Sequence, residues 1–289
     1  MLSPKLDVVF HMLFGVQENE KITKGLINGV IQEKVESIKL GETPYLWGEH
    51  AEDKVGIIDV RAVVNGNTHV DIEMQMINQE NIEKRILYYW SKLYSNQLKR
   101  GENYNKLQRT ICILFINEEI KKLENLPMQT TWEIIETKER KIILTNDLEL
   151  NIIELPKQDK SECNQELKKW IMFLQNPESE AVRKMAQYDE EIKEAVEKLE
   201  EISSDEAKIR IAELREKYIL DQNTNISGAE ERGKRLGRAE GERIGQERGE
   251  RIGEKKKAKE IAKKMLKQKI DVQIIIDVTG LTKEEIENL

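Results

Sequence analysis

Two β-rich runs, residues 55–64 and 68–76, are joined by Asn65-Gly66-Asn67. Asn-Gly between such runs accepts the positive φ angles that tight turns demand, which makes it a strong hairpin signal. Each run also carries a carboxylate in apolar surroundings: Asp59 follows Val55-Gly56-Ile57-Ile58, and Glu73 interrupts 70–76. A carboxylate within a strand is costly to bury unless a cation or a donor meets it. Two of them on neighbouring strands offer oxygen ligands to a hard divalent cation. Side chains alternate along a strand, so 57, 59, 61 and 63 share one face of the first run, and 71, 73 and 75 share one face of the second. Register decides whether the acids meet. A two-residue loop sets Asp59 opposite Ile72 and sends Glu73 to the other face, whereas the three-residue loop Asn65-Gly66-Asn67 sets Asp59 opposite Glu73. A shared site therefore requires an odd loop, with Gly66 or Asn67 near the left-handed region. On the residues alone, two exposed charges on an edge hairpin explain the pattern equally well.

Around the hairpin the periodicities alternate between helix and strand. Ser3 is placed to cap a first helix, with Pro4 at its first position, an apolar stripe from Leu6 to Phe14 and Gly15 as its stop. A second helix is expected over 19–33 and a strand over 35–40. After the hairpin, 79–100 keeps helical spacing through Ile82, Ile86, Tyr89, Trp90 and Leu93, and strands fit 109–116, 132–136 and 150–155. From Pro156 onward the pattern is all helical, over 163–174, 178–201 and 205–221. The expected organisation is an α/β core over 1–157, a helical extension over 158–222 and a tail over 223–289.

The tail is unusual. Glycine recurs at every fourth residue from Gly233 to Gly253, and the pentapeptide GERIG occurs at 241–245 and again at 249–253. Six interior glycines cost a helix roughly 5–6 kcal/mol relative to alanine, so the repeat needs a partner or local disorder. A homo-oligomer formed through this region is one such partner. A lysine-rich helix over 255–269 follows, and then a short apolar pair with a turn at Thr279-Gly280. Thr282 and Glu285 have capping-box spacing.

Bulk properties narrow the setting. The formal net charge of −7, with 35% charged residues, excludes a protein coated in basic surface but not one with a local basic face. Cys112 and Cys163 form no Cys-x-x-Cys pair, so neither a disulfide framework nor a structural zinc is expected. The N-terminus lacks a signal-peptide layout, and no apolar run approaches the roughly 18 residues needed to span a bilayer. The expectation is a cytoplasmic protein with no membrane partner.

Six segments carry a family resemblance in order along 3–157. They are Ser3-Pro4-Lys5-x-Asp7-x-x-Phe10, Phe14-Gly15, Ile58-Asp59-Val60-Arg61, Ile72-Glu73-Met74-Gln75, Arg85-x-x-x-Tyr89-Trp90-Ser91-Lys92-Leu93-Tyr94 and Glu154-Leu155-Pro156-Lys157. Together they resemble the Rpn family of recombination-promoting nucleases, also described as PD-(D/E)XK nuclease family transposases. The glycine repeat and the ending Ile-Ile-Asp-Val-Thr-Gly-Leu are similar to that family too.

The resemblance implies a restriction-endonuclease-like fold, a mixed central sheet flanked by helices, with a C-terminal helical extension. It implies DNA as partner and Mg²⁺ as cofactor, for which Mn²⁺ can substitute. The implied activity is a metal-dependent endonuclease of low sequence specificity, linked to DNA recombination or mobile elements. Asp59 and Glu73 fall at the metal-ligand positions, and Gln75 takes the place usually held by lysine. Glutamine can orient a water or a phosphate oxygen but carries no charge, which shifts more of the work to the metal. Arg85 and Lys92 are candidate phosphate contacts, against the reading of an ordinary solvated face. For Lys5 a phosphate contact, and for Asp7 an accessory acid, stand beside a plain helix-start charge arrangement. The competing function is a catalytically weak DNA-binding or assembly protein that keeps the nuclease fold. True strand transfer ranks below both, because no Asp-Asp-Glu arrangement is legible.

Overall fold

The computed structural model describes residues 1–41, 60–76, 81–159 and 163–289. The chain divides into two units, Met1–Ile219 and Leu220–Leu289.

The first unit is built on a six-stranded mixed sheet of order β1-β2-β3-β4-β6-β5. Its strands are β1 (Ile38–Leu40), β2 (Val60–Val64), β3 (Thr68–Gln75), β4 (Thr110–Ile116), β5 (Gln129–Trp132) and β6 (Leu148–Glu154). β1, β2 and β3 run antiparallel in turn, β3, β4 and β6 are parallel, and β5 closes the edge antiparallel to β6. β4 and β6 are buried at every position, as expected of central parallel strands covered on both faces. Sequence alternation fits a strand to 132–136. The structure instead pairs Gln129–Trp132 with β6, and Ile135 makes only an isolated bridge to Ile143.

Alternation sorts the strand side chains into two layers. One face carries Val60, Ala62, Val64, Val70, Ile72, Met74, Ile111, Ile113 and Phe115 into the main core. Helices α1 (Asp7–Phe14), α2 (Glu20–Val30), α4 (Gln165–Gln175) and α6 (Glu190–Ser204) contribute to that core. On the other face Cys112, Leu114, Ile116, Leu150 and Ile152 pack with Ile82 and Ile86 of α3 (Ile82–Ser95). The architecture is the restriction-endonuclease-like mixed sheet expected from the sequence.

Several helix ends differ from the sequence expectation for local reasons. Ser3 does not cap α1: its carbonyl accepts from Leu6 N in a turn, and Leu6 occupies the cap position without a side-chain bond. The expected 178–201 helix is two, α5 (Glu180–Met185) and α6, because Asp189 accepts from the backbone N–H groups of Glu191 and Ile192 and starts a new helix.

The largest departure is α7, continuous over Glu206–Lys267 and therefore running through the glycine repeat. Ion pairs along the helix surface offset part of the glycine cost: Arg238 meets Glu242, and Arg243 meets both Glu240 and Glu247. Such exposed pairs are worth little and recover only a fraction of it. Outside the repeat the helix is packed, with Ala212 buried in the main core and Ala262 buried near the other end. In the second unit Ala262 packs with Ile275 of α8 (Val272–Thr279) and Ile286 of α9 (Lys283–Glu287). Gly280 ends α8 at φ 68, a left-handed angle that a side chain would strain, and Thr282 with Glu285 forms the expected capping box. Among the described residues no helix is long and apolar enough to cross a membrane.

Candidate active site

The hairpin turns through the three residues Asn65, Gly66 and Asn67, with Asn65 at φ 51 and Gly66 at φ 75. The Asn65 side chain fixes the turn, accepting from Glu36 N and donating to Lys34 O. Val64 pairs with Thr68, Val63 with His69, Ala62 with Val70 and Arg61 with Asp71. This is the odd-loop register that a shared carboxylate site requires. Asp59 itself lies outside the described residues.

That register brings a charged cluster onto the face of the sheet under α3. Arg61 stands opposite Asp71, and Asp71, Glu73 and Gln75 follow at every second position of β3. Both carboxylates are buried, with side chains 3% and 8% exposed, so neither can count on water to solvate its charge. Arg61 Nε approaches Asp71 Oδ1 at 3.6 Å, and Arg85 Nε of α3 approaches Glu73 Oε2 at 3.8 Å. The Gln75 amide donates to Glu73 Oε2 at 3.4 Å. Arg85 also lies over the Tyr89 ring, 5.4 Å from its centroid, which helps to fix the guanidinium.

These cations do not balance the cost of burial. Desolvation raises Asp71 from its usual 3.8 to about 6, although Arg61 opposes it. Desolvation, and then the neighbouring Asp71 charge, push Glu73 from 4.5 to about 7 against the pull of Arg85, Gln75 and Arg61. Asp71 Oδ1 makes no hydrogen bond among the described residues. The face therefore holds two under-compensated carboxylates, a condition that a proton or a divalent cation relieves. Oxygen donors from Glu73, Asp71 and Gln75 suit Mg²⁺ or Mn²⁺. Among the described residues no group of three or more acidic, cysteine or histidine side chains forms a metal cage by itself.

A buried latch supports the far side of the site. Lys157 Nζ donates to Glu154 Oε2 at 2.7 Å and to the carbonyls of Leu123 and Leu126 at 2.6 and 3.2 Å. Glu154 Oε1 accepts from Ile120 N at 2.6 Å. The pair thereby fixes the segment after β4, whose Asn117 N donates to Gln75 O.

Of the residues singled out in the sequence, Glu73, Gln75 and Arg85 come together. Lys92 is exposed two turns further along α3. Lys5 donates to Gln175 Oε1 at 3.0 Å. Asp7 is clasped by Arg215 of α7, with both its oxygens accepting from Nε at 3.0 and 2.9 Å. Helix α1 packs in the main core, against the face of β3 opposite Glu73. Trp90 and Tyr94 are structural: Trp90 Nε1 donates to Thr110 O, and the Tyr94 hydroxyl donates to Asp147. Asp71 and Arg61 were not singled out from the sequence. The signal was present, because 71 shares a face with 73 and the odd register sets 61 opposite it.

A family profile described as PD-(D/E)XK nuclease family transposase matches residues 4–229. The chain belongs to this family. A second profile, described as the C-terminal HTH domain of the Rpn/YhgA-like nuclease family, matches 255–289, in agreement with the Rpn resemblance. No curated protein and no solved structure matches the chain.

Proposed function

We propose that this chain is a Mg²⁺-dependent DNA endonuclease of low sequence specificity, with Asp59 and Glu73 as metal ligands and Gln75 as the group that orients the nucleophile. The observation that carries this reading is the buried Glu73 carboxylate, raised towards neutrality beside Asp71 on a hairpin of odd register. Continued by one pair, that register would give Glu73 the partner Asp59. When bound, the divalent cation would supply Lewis-acid activation of water and neutralise charge at the scissile phosphate. Glu73 must be ionised to bind it, so metal binding releases the proton that burial holds there. The Gln75 amide, next to Glu73, would accept or donate a hydrogen bond to hold the attacking water in line. Arg85 would meet the non-bridging phosphate oxygens, adding positive charge where negative charge builds in the transition state. Asp71, held by Arg61, keeps the negative field at the cation position. Its role is positioning.

Plasmid nicking in Mg²⁺ tests the assignment. Asp59→Ala and Glu73→Ala are each expected to lose at least about 10²-fold in rate, and Gln75→Ala a comparable or smaller amount. Nicking by Asp59→Ala at the wild-type rate ends the proposal. The replacement of the usual lysine by Gln75 favours one competitor, a weak or inactive nuclease fold that binds DNA. DNA retention with no metal-dependent cutting by the wild type selects that competitor.

A further inference from the structure

Charge in the second unit is sharply segregated. Residues 255–269 carry eight lysines and one acid, Glu260, whereas 270–289 carry five acids and one lysine, Lys283. Against a chain of net charge −7, the first segment is a local reversal of sign.

The lysines are also arranged. Ala258, Ala262, Met265 and Leu266 pack with α8 and α9. Beside that apolar side run Lys256, Lys259, Lys263 and Lys267, all exposed. At 3.6 residues per turn these four fall within about 80° of arc and extend over about 16 Å of helix. None of the four makes an ion pair among the described residues, whereas Arg243 in the repeat is held by Glu240 and Glu247, and Lys255 is held by Glu285 of α9. A row of like charges at three- and four-residue spacing destabilises its own helix. An external polyanion relieves that repulsion. About 16 Å of duplex carries roughly five phosphates per strand, which matches the length of the row.

The helix that would normally read bases does not suit a groove. In a helix-turn-helix the second helix lies in the major groove between two phosphate strands. Here that helix is α9, five residues long, with Ile286 buried. Glu285 is occupied by Thr282 N and Lys255. Its exposed positions are Lys283, Glu284 and Glu287, which leave it net negative.

We propose that the second unit binds the DNA phosphate backbone through Lys256, Lys259, Lys263 and Lys267 of α7, with α9 held out of the groove, so that it anchors the chain without reading sequence. The proposal shares only its partner, DNA, with the nuclease reading. Binding measured in EDTA therefore stands or falls independently of cutting.

The test is fluorescence polarisation of a labelled random-sequence duplex with the full chain in EDTA over a range of salt. Replacing the four lysines by glutamine is expected to weaken binding at least tenfold and to make the logarithmic salt slope shallower by about 3. Replacing them by arginine should keep wild-type affinity, and Glu284→Gln with Glu287→Gln should bind equally or more tightly. Wild-type affinity and slope in the glutamine variant overturn the proposal. So does loss of binding in the arginine variant, which would mark a structural defect rather than lost charge. Loss of binding on Lys283→Ala alone would transfer the contact to α9. Retention of the wild type by anionic vesicles or RNA but not by duplex DNA would name a different partner.

Discussion

The hairpin face and the glycine repeat both place many charges in regular structure, and they handle them in opposite ways. On the hairpin, Asp71 and Glu73 are buried and meet arginines from β2 and α3, so their partners come from other elements. In the repeat, Arg238 and Arg243 stay exposed and meet glutamates three or four residues away on the same helix. Exposed pairs are cheap to form and worth little. Buried ones are expensive, and they persist where chemistry or architecture requires them.

The sharpest break of this contrast is at the fully buried Lys157–Glu154 pair. Lys157→Met leaves Glu154 without its cation, and chemical denaturation is expected to show a loss of about 3–5 kcal/mol. A loss below 1 kcal/mol would make the buried latch no different from a surface pair.

Next in size is the pH response of the hairpin face. Glu73 binds its proton more tightly folded than unfolded, with its usual 4.5 raised to about 7. Stability from this group is therefore present below the unfolded value and is lost as pH rises through about 7. Asp71 acts in the same direction up to about 6. In EDTA, Glu73→Gln should flatten that decline and stabilise the protein by about 2 kcal/mol at pH ~8. Melting curves of the two proteins across this range check it, and parallel declines would count against a strained carboxylate.

Smaller effects are expected in the repeat. Cβ atoms added at Gly241 or Gly245 meet nothing within 4 Å, so each Gly→Ala change should stabilise the helix by up to about 1 kcal/mol. Arg243→Ala should change stability less than either alanine substitution, because its ion pairs are exposed on the helix surface. Helicity followed by circular dichroism on heating separates these. Destabilisation by alanine would show that the glycines are in close contact with something.

The hairpin was legible because period-two alternation and Asn-Gly chemistry are local. The same logic singled out Glu73 as a strand carboxylate and contained Asp71 and Arg61 without singling them out, whereas Gln75 was named through the family resemblance. Asp7 was not legible, because its partner Arg215 lies about two hundred residues away in sequence. The unbroken α7 was not legible either: propensity argues against helix at each glycine, and packing near both ends is a tertiary effect.

By itself the sequence determined the turn and the alternating faces, since these follow from backbone geometry over a few residues, and it narrowed the register to two choices, of which the structure has the odd one. Tertiary structure decided which charges are buried and which cations answer them. Burial depends on α3 covering the sheet, and desolvation is a property of surroundings that no short stretch of chain contains.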